Sequence, residues 1–376
     1  MTRNYIKQIF IARLIIFLAF NFVCLVRIIP AQSISADLTK LKKCGQYNLS
    51  DTSIMTAMSY GSHIYAGTED GSIHAVDQMT LGKIWSSSIG GQIVSNLIVA
   101  DGNILVVSNP ILSNEAKPDI SILRSLSSMT GLTNWNLPLP YSSGLFLGIT
   151  GRYLIAVGKE GTVTAHEIST GNIIWKSSFK GTITAPPQFS EDRIILGTDQ
   201  KELMVLNALN GEIITRSKIN FSPSSVSIAS VRTFAAGDER GNLFLIDVYS
   251  GKSVWTFKSG AKISFISSTD KGLMATSNDN FVYMLSEYNG DVIWKRRLPG
   301  RVASSPLVTS DAVSLQIAAD KAIFLLDLQN GKILNQLLMD EENSTGIMPG
   351  LLKESSLFFS TINSIVVYSA GPCLAA

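Results

Sequence analysis

Short apolar runs separated by polar turns extend along most of the chain. In the segment 224–258, runs rich in β-branched and aromatic residues alternate with clusters of Gly, Asn, Asp and Ser, and these runs cover residues 226–230, 231–236, 242–248 and 252–257. This pattern predicts short antiparallel strands joined by tight turns. Because no segment beyond the first 33 residues has a sustained apolar period of about 3.6 residues, we expect an all-β fold.

A turn that contains glycine recurs with nearly constant spacing. Its glycines are 49, 40, 40, 40, 39 and 41 residues apart, and they are Gly82, Gly131, Gly171, Gly211, Gly251, Gly290 and Gly331. All five tryptophans lie in one phase of the repeat, four of them four residues after the glycine and the first three residues after it; they are Trp85, Trp135, Trp175, Trp255 and Trp294. Thr215 and Asn335 take this position in the two remaining units. We expect a positive φ at the glycine and packing of each tryptophan against the neighbouring repeat.

Four short strands in about forty residues are typical of one blade of a β-propeller. Seven units carry the glycine turn, and an eighth, over residues 346–369, has only three strand-like runs. Residues 35–49 precede the first complete unit and can supply the missing strand. The sequence therefore predicts an eight-bladed β-propeller of four-stranded antiparallel blades, in which the N- and C-terminal strands share one blade and close the ring.

Cys44 and Cys373 lie in the two terminal segments that such a closure brings together. In an oxidising compartment they can form a disulfide across the seam, the place where the two terminal strands close the ring. Two unrelated thiols are the alternative, because Cys373 is close to the end of the chain.

The first 33 residues have the pattern of an export signal. Arg3 and Lys7 precede an apolar run from Leu14 to Val26, and Ala31-Gln32-Ser33 offers a small-x-small cleavage site. We predict a signal peptide over residues 1–33, with an uncleaved anchor as the alternative, and one propeller domain over residues 34–376. Bulky residues precede Cys24, which argues against attachment of a lipid there.

Composition and motifs argue against several classes of function. The chain has 31 Lys+Arg and 29 Asp+Glu, so it lacks the charge excess of a typical nucleic-acid-binding protein. The three histidines, His63, His74 and His166, have no metal-ligand spacing, and no nucleophile elbow, P-loop or dinucleotide fingerprint is present. We therefore predict no catalytic residue, no metal site and no cofactor.

Three segments carry a resemblance to a known repeat. Residues 71–85 (GSIHAVDQMTLGKIW), 161–175 (GTVTAHEISTGNIIW) and 241–255 (GNLFLIDVYSGKSVW) resemble the tryptophan-docking repeat of pyrroloquinoline-quinone-type propellers. Two periplasmic families share this repeat, the quinoprotein dehydrogenases and BamB. The dehydrogenases carry adjacent cysteines, a calcium site and a catalytic aspartate; this chain has no adjacent cysteines and no oxygen-rich calcium loop. In its layout the chain is similar to BamB.

The resemblance to BamB implies a function without catalysis. It implies a periplasmic scaffold at the inner face of the outer membrane that docks the barrel-shaped insertase subunit of the outer-membrane protein assembly machine. It also implies a role in presenting unfolded outer-membrane protein precursors. A quinone-dependent dehydrogenase, or cofactor-binding relative, and a generic periplasmic interaction propeller are the alternatives.

Two loops are candidates for partner binding. The long first interval contains the insertion 109–118, which carries Ile111 and Leu112 in an otherwise polar loop. Phe179 and Lys180 precede Gly181, and this pair resembles the apolar–basic pair in an inter-blade loop of BamB relatives. The acidic residues that the family has in the next inter-blade loop are missing here, because residues 221–225 read FSPSS. In the alternative interpretation both loops only pack against their own blades.

Overall fold

The computed structural model describes residues 38–49, 52–110, 120–139, 145–317, 322–338, 348–353, 356–371 and 373. The chain divides after residue 35, and all described residues belong to the unit 36–376. The predicted signal segment therefore lies outside the described residues. Within the described part, no helix has the length and apolar character needed to cross a membrane.

The strands form eight antiparallel sheets, one for each predicted blade. The first blade comprises β2 (Ile54–Tyr60), β3 (His63–Thr68), β4 (Ser72–Asp77) and β5 (Lys83–Ser88). The second comprises β6 (Gln92–Ile93), β7 (Ile98–Ala100), β8 (Asn103–Asn109), β9 (Ser121–Ser127) and β10 (Thr133–Leu139). The third comprises β11 (Leu145–Thr150), β12 (Tyr153–Gly158), β13 (Thr162–Glu167) and β14 (Ile173–Ser178). The fourth comprises β15 (Gln188–Phe189), β16 (Arg193–Thr198), β17 (Glu202–Asn207) and β18 (Ile213–Lys218).

The later blades repeat this arrangement. The fifth comprises β19 (Pro223–Ile228), β20 (Thr233–Asp238), β21 (Asn242–Asp247) and β22 (Ser253–Lys258). The sixth comprises β23 (Ile263–Thr269), β24 (Gly272–Ser277), β25 (Phe281–Leu285) and β26 (Val292–Arg297). The seventh comprises β27 (Leu307–Val308), β28 (Ala312–Ile317), β29 (Ala322–Asp327) and β30 (Ile333–Leu338). The eighth comprises β31 (Met348–Lys353), β32 (Ser356–Ser360), β33 (Ser364–Ser369) and β1 (Lys42–Asn48), and a short 3-10 helix covers Leu38–Lys40.

The eighth blade closes the ring as the sequence predicted. Its strand order is β1-β33-β32-β31, and β1 pairs with β33 from Lys42 opposite Ser369 to Asn48 opposite Ser364. A disulfide joins Cys44 to Cys373, whose Cα atoms are 5.1 Å apart. The prediction of an eight-bladed propeller with one blade shared by the two termini is confirmed.

The hydrophobic core is divided into clusters that lie between neighbouring blades. One of them joins Met284 of the sixth blade to Leu315 and Phe324 of the seventh, and all three side chains are almost fully buried. Middle strands such as β16 are buried at every position, because both faces of the sheet are covered by neighbouring blades. Outer strands such as β14 alternate between exposed and half-buried residues in their second half.

Two details differ from the sequence prediction. In the fifth blade the first turn covers residues 229–232, so the boundary expected between residues 230 and 231 was wrong. In the second blade the innermost strand is split into β6 and β7. The hydroxyl of Ser95 lies in the interruption, where it accepts a hydrogen bond from the backbone N–H of Val107 and so replaces a strand contact.

Candidate partner-binding surfaces

Each tryptophan connects its blade to the next one through the same hydrogen bond. The indole Nε1 of Trp175 donates to the carbonyl of Ala208 at 3.0 Å, and that of Trp294 donates to the carbonyl of Leu328 at 2.9 Å. The indoles of Trp85, Trp135 and Trp255 donate to the carbonyls of Ser128, Ile168 and Glu287. Every acceptor lies in the turn between the third and fourth strands of the following blade. The tryptophans are therefore structural contacts between blades.

The two units without tryptophan retain this contact with smaller side chains. The hydroxyl of Thr215 donates to the carbonyl of Val248, and the side-chain amide of Asn335 donates to the carbonyl of Leu38 at 2.9 Å. Asn335 therefore binds the seventh blade to the segment that leads into β1. We call these seven positions the docking residues.

The repeat glycine and the docking tryptophan of the preceding blade lie against each other. A β-carbon at Gly331, where φ is +68°, would be 2.5 Å from Cε3 of Trp294. In the first blade the expectation of a positive φ at Gly82 was wrong, because Leu81, with a φ of 54°, takes this conformation instead. No tryptophan precedes this blade in the ring, so a leucine side chain fits there. With Leu81 as the reference, Trp85 also lies four residues later, like the other tryptophans.

The carboxylates that end the third strands cap the turns that follow them. Oδ1 of Asp77 accepts from the backbone N–H groups of Met79 and Thr80 at 3.0 and 2.8 Å. Asp247 accepts in the same way from Tyr249 and Ser250, and Asp327 from Gln329 and Asn330. These bonds satisfy turn donors. In the fifth and seventh blades the capped turn also carries the carbonyl that accepts from the docking residue of the preceding blade, Thr215 or Trp294.

The predicted pair Phe179 and Lys180 lies in the linker from the third blade to the fourth. The ring of Phe179 is half-buried and packs against the cluster between these two blades, and its backbone N–H donates to the carbonyl of Gly161 at 3.0 Å. Lys180 is exposed, and Gly181 has a φ of +106°. Phe179 thus contributes to packing, while the linker presents an accessible cation beside the outer part of the ring.

The end of the next linker and the beginning of β19, residues 221–225, are also packed inward. Phe221 stacks on Phe244 with a centroid distance of 4.6 Å and an interplanar angle of 9°. The other predicted pair, Ile111 and Leu112, lies outside the described residues.

A cavity of about 400 Å³ is lined by the first strands of the fourth, fifth and sixth blades and by the linker into the seventh blade. Its polar lining includes Ser224, Ser225, Lys262, Ser264 and Asn278. Among the described residues, the buried hydroxyl of Ser225 has no hydrogen-bond partner, whereas that of Ser264 donates to Asn278. Sequence reasoning did not identify this cavity, because its residues come from four repeats and form no contiguous motif.

The buried histidine His166 has a structural role. Its Nδ1 donates to the carbonyl of Gly171 at 3.0 Å, so its Nε2 accepts the hydroxyl hydrogen of Thr164 at 2.8 Å. Desolvation by burial holds the pKa of His166 below its ordinary value, although the bond to Gly171 acts in the opposite direction. Within the described residues, no three His, Cys, Asp or Glu side chains are grouped as metal ligands.

We expect this histidine to make the fold sensitive to mild acid. Because its pKa is lowered on folding, its contribution to stability is constant above the unfolded pKa of about 6.5 and decreases as the pH falls below it, by at most about 1.4 kcal/mol per pH unit. The variant His166→Gln can retain both hydrogen bonds but does not titrate. Guanidinium denaturation at pH 7.5, 6.5 and 5.5 should show a smaller loss of stability in the variant. Equal pH slopes in the two proteins would contradict this assignment.

The architecture and the repeated contact define a class, the tryptophan-docking β-propellers. A family model described as outer membrane protein assembly factor BamB matches residues 118–262 and 240–356. These matches cover more than half of the chain, and the protein belongs to this family.

Curated relatives are distant. Outer membrane protein assembly factor BamB of Yersinia pestis is 24% identical over 244 residues, which are 63% of this chain and 51% of the relative. BamB of Moranella endobia is 21% identical over 284 residues, 73% of this chain and 62% of the relative. Tetrathionate hydrolase of Acidithiobacillus ferrooxidans is 20% identical over 316 residues, 77% of this chain and 50% of that protein. The chain thus spans about half to three fifths of the length of the relatives that it matches.

Solved structures support the fold. The crystal structure of BamB from Moraxella catarrhalis has a TM-score of 0.67 at 13% identity, with coverage of 88% of this chain and 99% of that chain. The C-terminal WD40 domain of Sif2 has a TM-score of 0.72 at 11% identity, with the same coverage. Since a WD40 propeller matches as well as BamB does, these likenesses concern architecture alone.

Proposed function

We propose that this protein is a non-enzymatic scaffold subunit of the outer-membrane barrel assembly machine. In this proposal it acts in the periplasm, at the inner face of the outer membrane, where it docks the barrel-shaped insertase and helps to present unfolded barrel precursors. The observation that carries the proposal is the match of the BamB family model to residues 118–262 and 240–356. The two curated BamB relatives support it.

The linker that contains Phe179 and Lys180 is the proposed insertase contact. Lys180 is accessible for a charged contact, and Phe179 keeps part of its ring exposed beside it. Packing of Phe179 against the cluster between the third and fourth blades anchors the linker to the ring. An anchored linker loses less conformational entropy on binding than a free one, which favours affinity.

The double variant Phe179→Ala/Lys180→Glu should weaken binding to the purified periplasmic part of the insertase by roughly tenfold, about 1.4 kcal/mol. The reason is the loss of an apolar contact and the reversal of a charge at the same place. The affinity can be measured by surface plasmon resonance with the full chain immobilised.

The matched control is a double variant with one substitution in each of two other linkers. Phe221→Ala/Arg301→Glu removes an aromatic ring and reverses an exposed charge outside the proposed contact. We expect this control to bind within about twofold of the unmodified protein. Equal losses in both variants would refute the assignment of the linker, and no binding by the unmodified protein would refute the insertase as partner. Dye reduction after addition of the quinone and calcium would instead support a dehydrogenase.

A further inference from the structure

The outer strands of four adjacent blades carry positive charge at two fixed positions. These positions lie one and three residues after the docking residue, and their side chains are exposed in every blade. In the third to sixth blades they are occupied by Lys176, Ser178, Arg216, Lys218, Thr256, Lys258, Lys295 and Arg297. Six of these eight residues are cations and none is an acid. We call the six cations the basic belt.

The other four blades have no charge at these positions. The register of β1 with β33 places Gly45 where the other blades have the docking residue, so the eighth blade can be included in the comparison. The residues in the first, second, seventh and eighth blades are Ser86, Ser88, Asn136, Pro138, Gln336, Leu338, Gln46 and Asn48. The belt is therefore confined to one half of the ring, and it does not follow from the repeat itself.

Most of the belt charge is not compensated by carboxylates. Only Arg216 among the belt cations has a carboxylate within ion-pair distance in the described part of the chain, that of Glu202 at 3.9 Å. Lys258 donates to the carbonyl of Arg240, and Lys295 lies over the ring of Phe281. These contacts hold the cations in place without neutralising them.

Two acidic residues that are close in sequence to the belt contacts, Glu239 and Asp279, have partners outside the belt. Glu239 forms an ion pair with Lys262 at 2.6 Å. Asp279 accepts from the hydroxyl of Tyr283 at 2.7 Å and from the backbone N–H of Gly260 at 2.8 Å. Neither carboxylate is paired with a belt cation, so the belt remains available to an external anion.

An aliphatic band runs beside the belt. The one or two residues before each docking residue are exposed in the same four blades, by 39% to 54%, and they are Ile173, Ile174, Ile213, Ile214, Val254, Val292 and Ile293. The outer strands thus present adjacent apolar and cationic positions. A ligand that matches both bands carries negative charge together with apolar groups.

The outer edges are poorly suited to pair with another strand. In each of these blades the pairing between the outer strand and its neighbour has a register shift beside the docking residue. In the third blade, for example, Ala165 is opposite Trp175, but the next residue, His166, is opposite Ile173. Bulges and lysines on an edge both disfavour the addition of a further strand. Recognition therefore falls to the side chains of the two bands.

The shape of the ring selects among anionic ligands. Four of eight blades cover half of its convex circumference, whereas a planar membrane touches a convex rim at only one or two blades. A flexible single-stranded nucleic acid can follow the rim, but such ligands are usually held by aromatic stacking, and the exposed band is aliphatic. We propose that the basic belt binds a flexible, acidic polypeptide segment of a partner protein that also carries aliphatic side chains. This inference does not depend on the insertase as partner.

Fluorescence anisotropy of the full chain with a labelled peptide tests the proposal. The probe is an acidic peptide of Glu, Ser and Leu, of roughly twenty residues, which reaches about 65 Å when extended. The belt variant Lys176→Gln/Arg216→Gln/Lys258→Gln/Lys295→Gln should bind it about tenfold more weakly in roughly 50 mM salt, because four exposed ion pairs are lost. The charge-conserving variant with Arg at the three lysines and Lys at position 216 should restore binding, which separates a charge effect from a folding defect.

The matched control removes four exposed cations outside the belt, by Lys83→Gln, Arg152→Gln, Lys252→Gln and Lys332→Gln. It should bind the peptide within about twofold of the unmodified protein. An equal loss in this control would overturn the proposal, since binding would then follow net charge alone. Absence of peptide binding, or tighter binding to oligothymidine or to phosphatidylglycerol vesicles, would also overturn it, the last two outcomes in favour of a nucleic acid or a membrane.

Discussion

Replacement of Trp294 by alanine is expected to lower the free energy of unfolding by about 3–5 kcal/mol. The side chain is only 9% exposed, packs in the cluster between the sixth and seventh blades, and donates its indole hydrogen to Leu328 at 2.9 Å. The variant loses the packing of the largest side chain in this cluster together with that bond. Guanidinium denaturation followed by far-ultraviolet circular dichroism measures the loss.

Two further variants separate the parts of this effect. Trp294→Phe retains an aromatic ring and should lose about 1–2 kcal/mol, mainly the unsatisfied carbonyl. Gly331→Ala should also destabilise the unmodified protein, because its β-carbon would be 2.5 Å from the indole. In the Trp294→Ala background the cost of Gly331→Ala should fall to about 1 kcal/mol, the cost of a positive φ at an alanine. Additive costs of the two substitutions would show that ring and glycine do not act as one contact.

Loss of the disulfide between Cys44 and Cys373 is expected to lower stability by about 2–5 kcal/mol. The bond connects residues 329 positions apart, so it constrains a very long loop of the unfolded chain. It also fastens β1, which is held in its sheet by pairing with β33 on one side. Denaturation midpoints of the unreduced protein and of Cys373→Ser should differ accordingly.

The control for this prediction is the second cysteine. Cys44→Ser should destabilise as much as Cys373→Ser, and the double variant should add little to either, because one bond is lost in all three. Thiol titration of the full unreduced chain should find one free thiol of the three cysteines, that of Cys24. Three free thiols in the unreduced protein would contradict the bond.

The blades could be predicted from the sequence because their markers depend on each other physically. A docking tryptophan needs a glycine on the next blade, so both recur with one period. The same dependence explains the error at Gly82, since no indole reaches the first blade and Leu81 can adopt the turn conformation. Thr215 and Asn335 were recognised as occupying the tryptophan position, but that they make the same bond was visible only in three dimensions.

The candidate surfaces were less predictable for a different reason. The sequence is the same whether Phe179 packs inward or faces a partner. Only the structure, in which the ring is half-buried, shows how far it does each. The basic belt consists of residues about forty positions apart, which become neighbours when the blades are arranged in a ring. In the sequence the triplet 295–297 looks like an ordinary solvated edge, because its companions at Lys176, Arg216 and Lys258 lie in other repeats.

The shared eighth blade has a consequence for the order of events during synthesis. Residues 42–48 are made early, but their partner strand, residues 364–369, is made only after the strands of the seven other blades. Seven blades can form one after another from local contacts while β1 waits as an unpaired strand. The eighth blade and the bond between Cys44 and Cys373 can therefore form only after residues 364–373 have been made. A chain truncated before residue 364 has no strand to accept β1, so it leaves β1 unpaired and Cys44 without its partner.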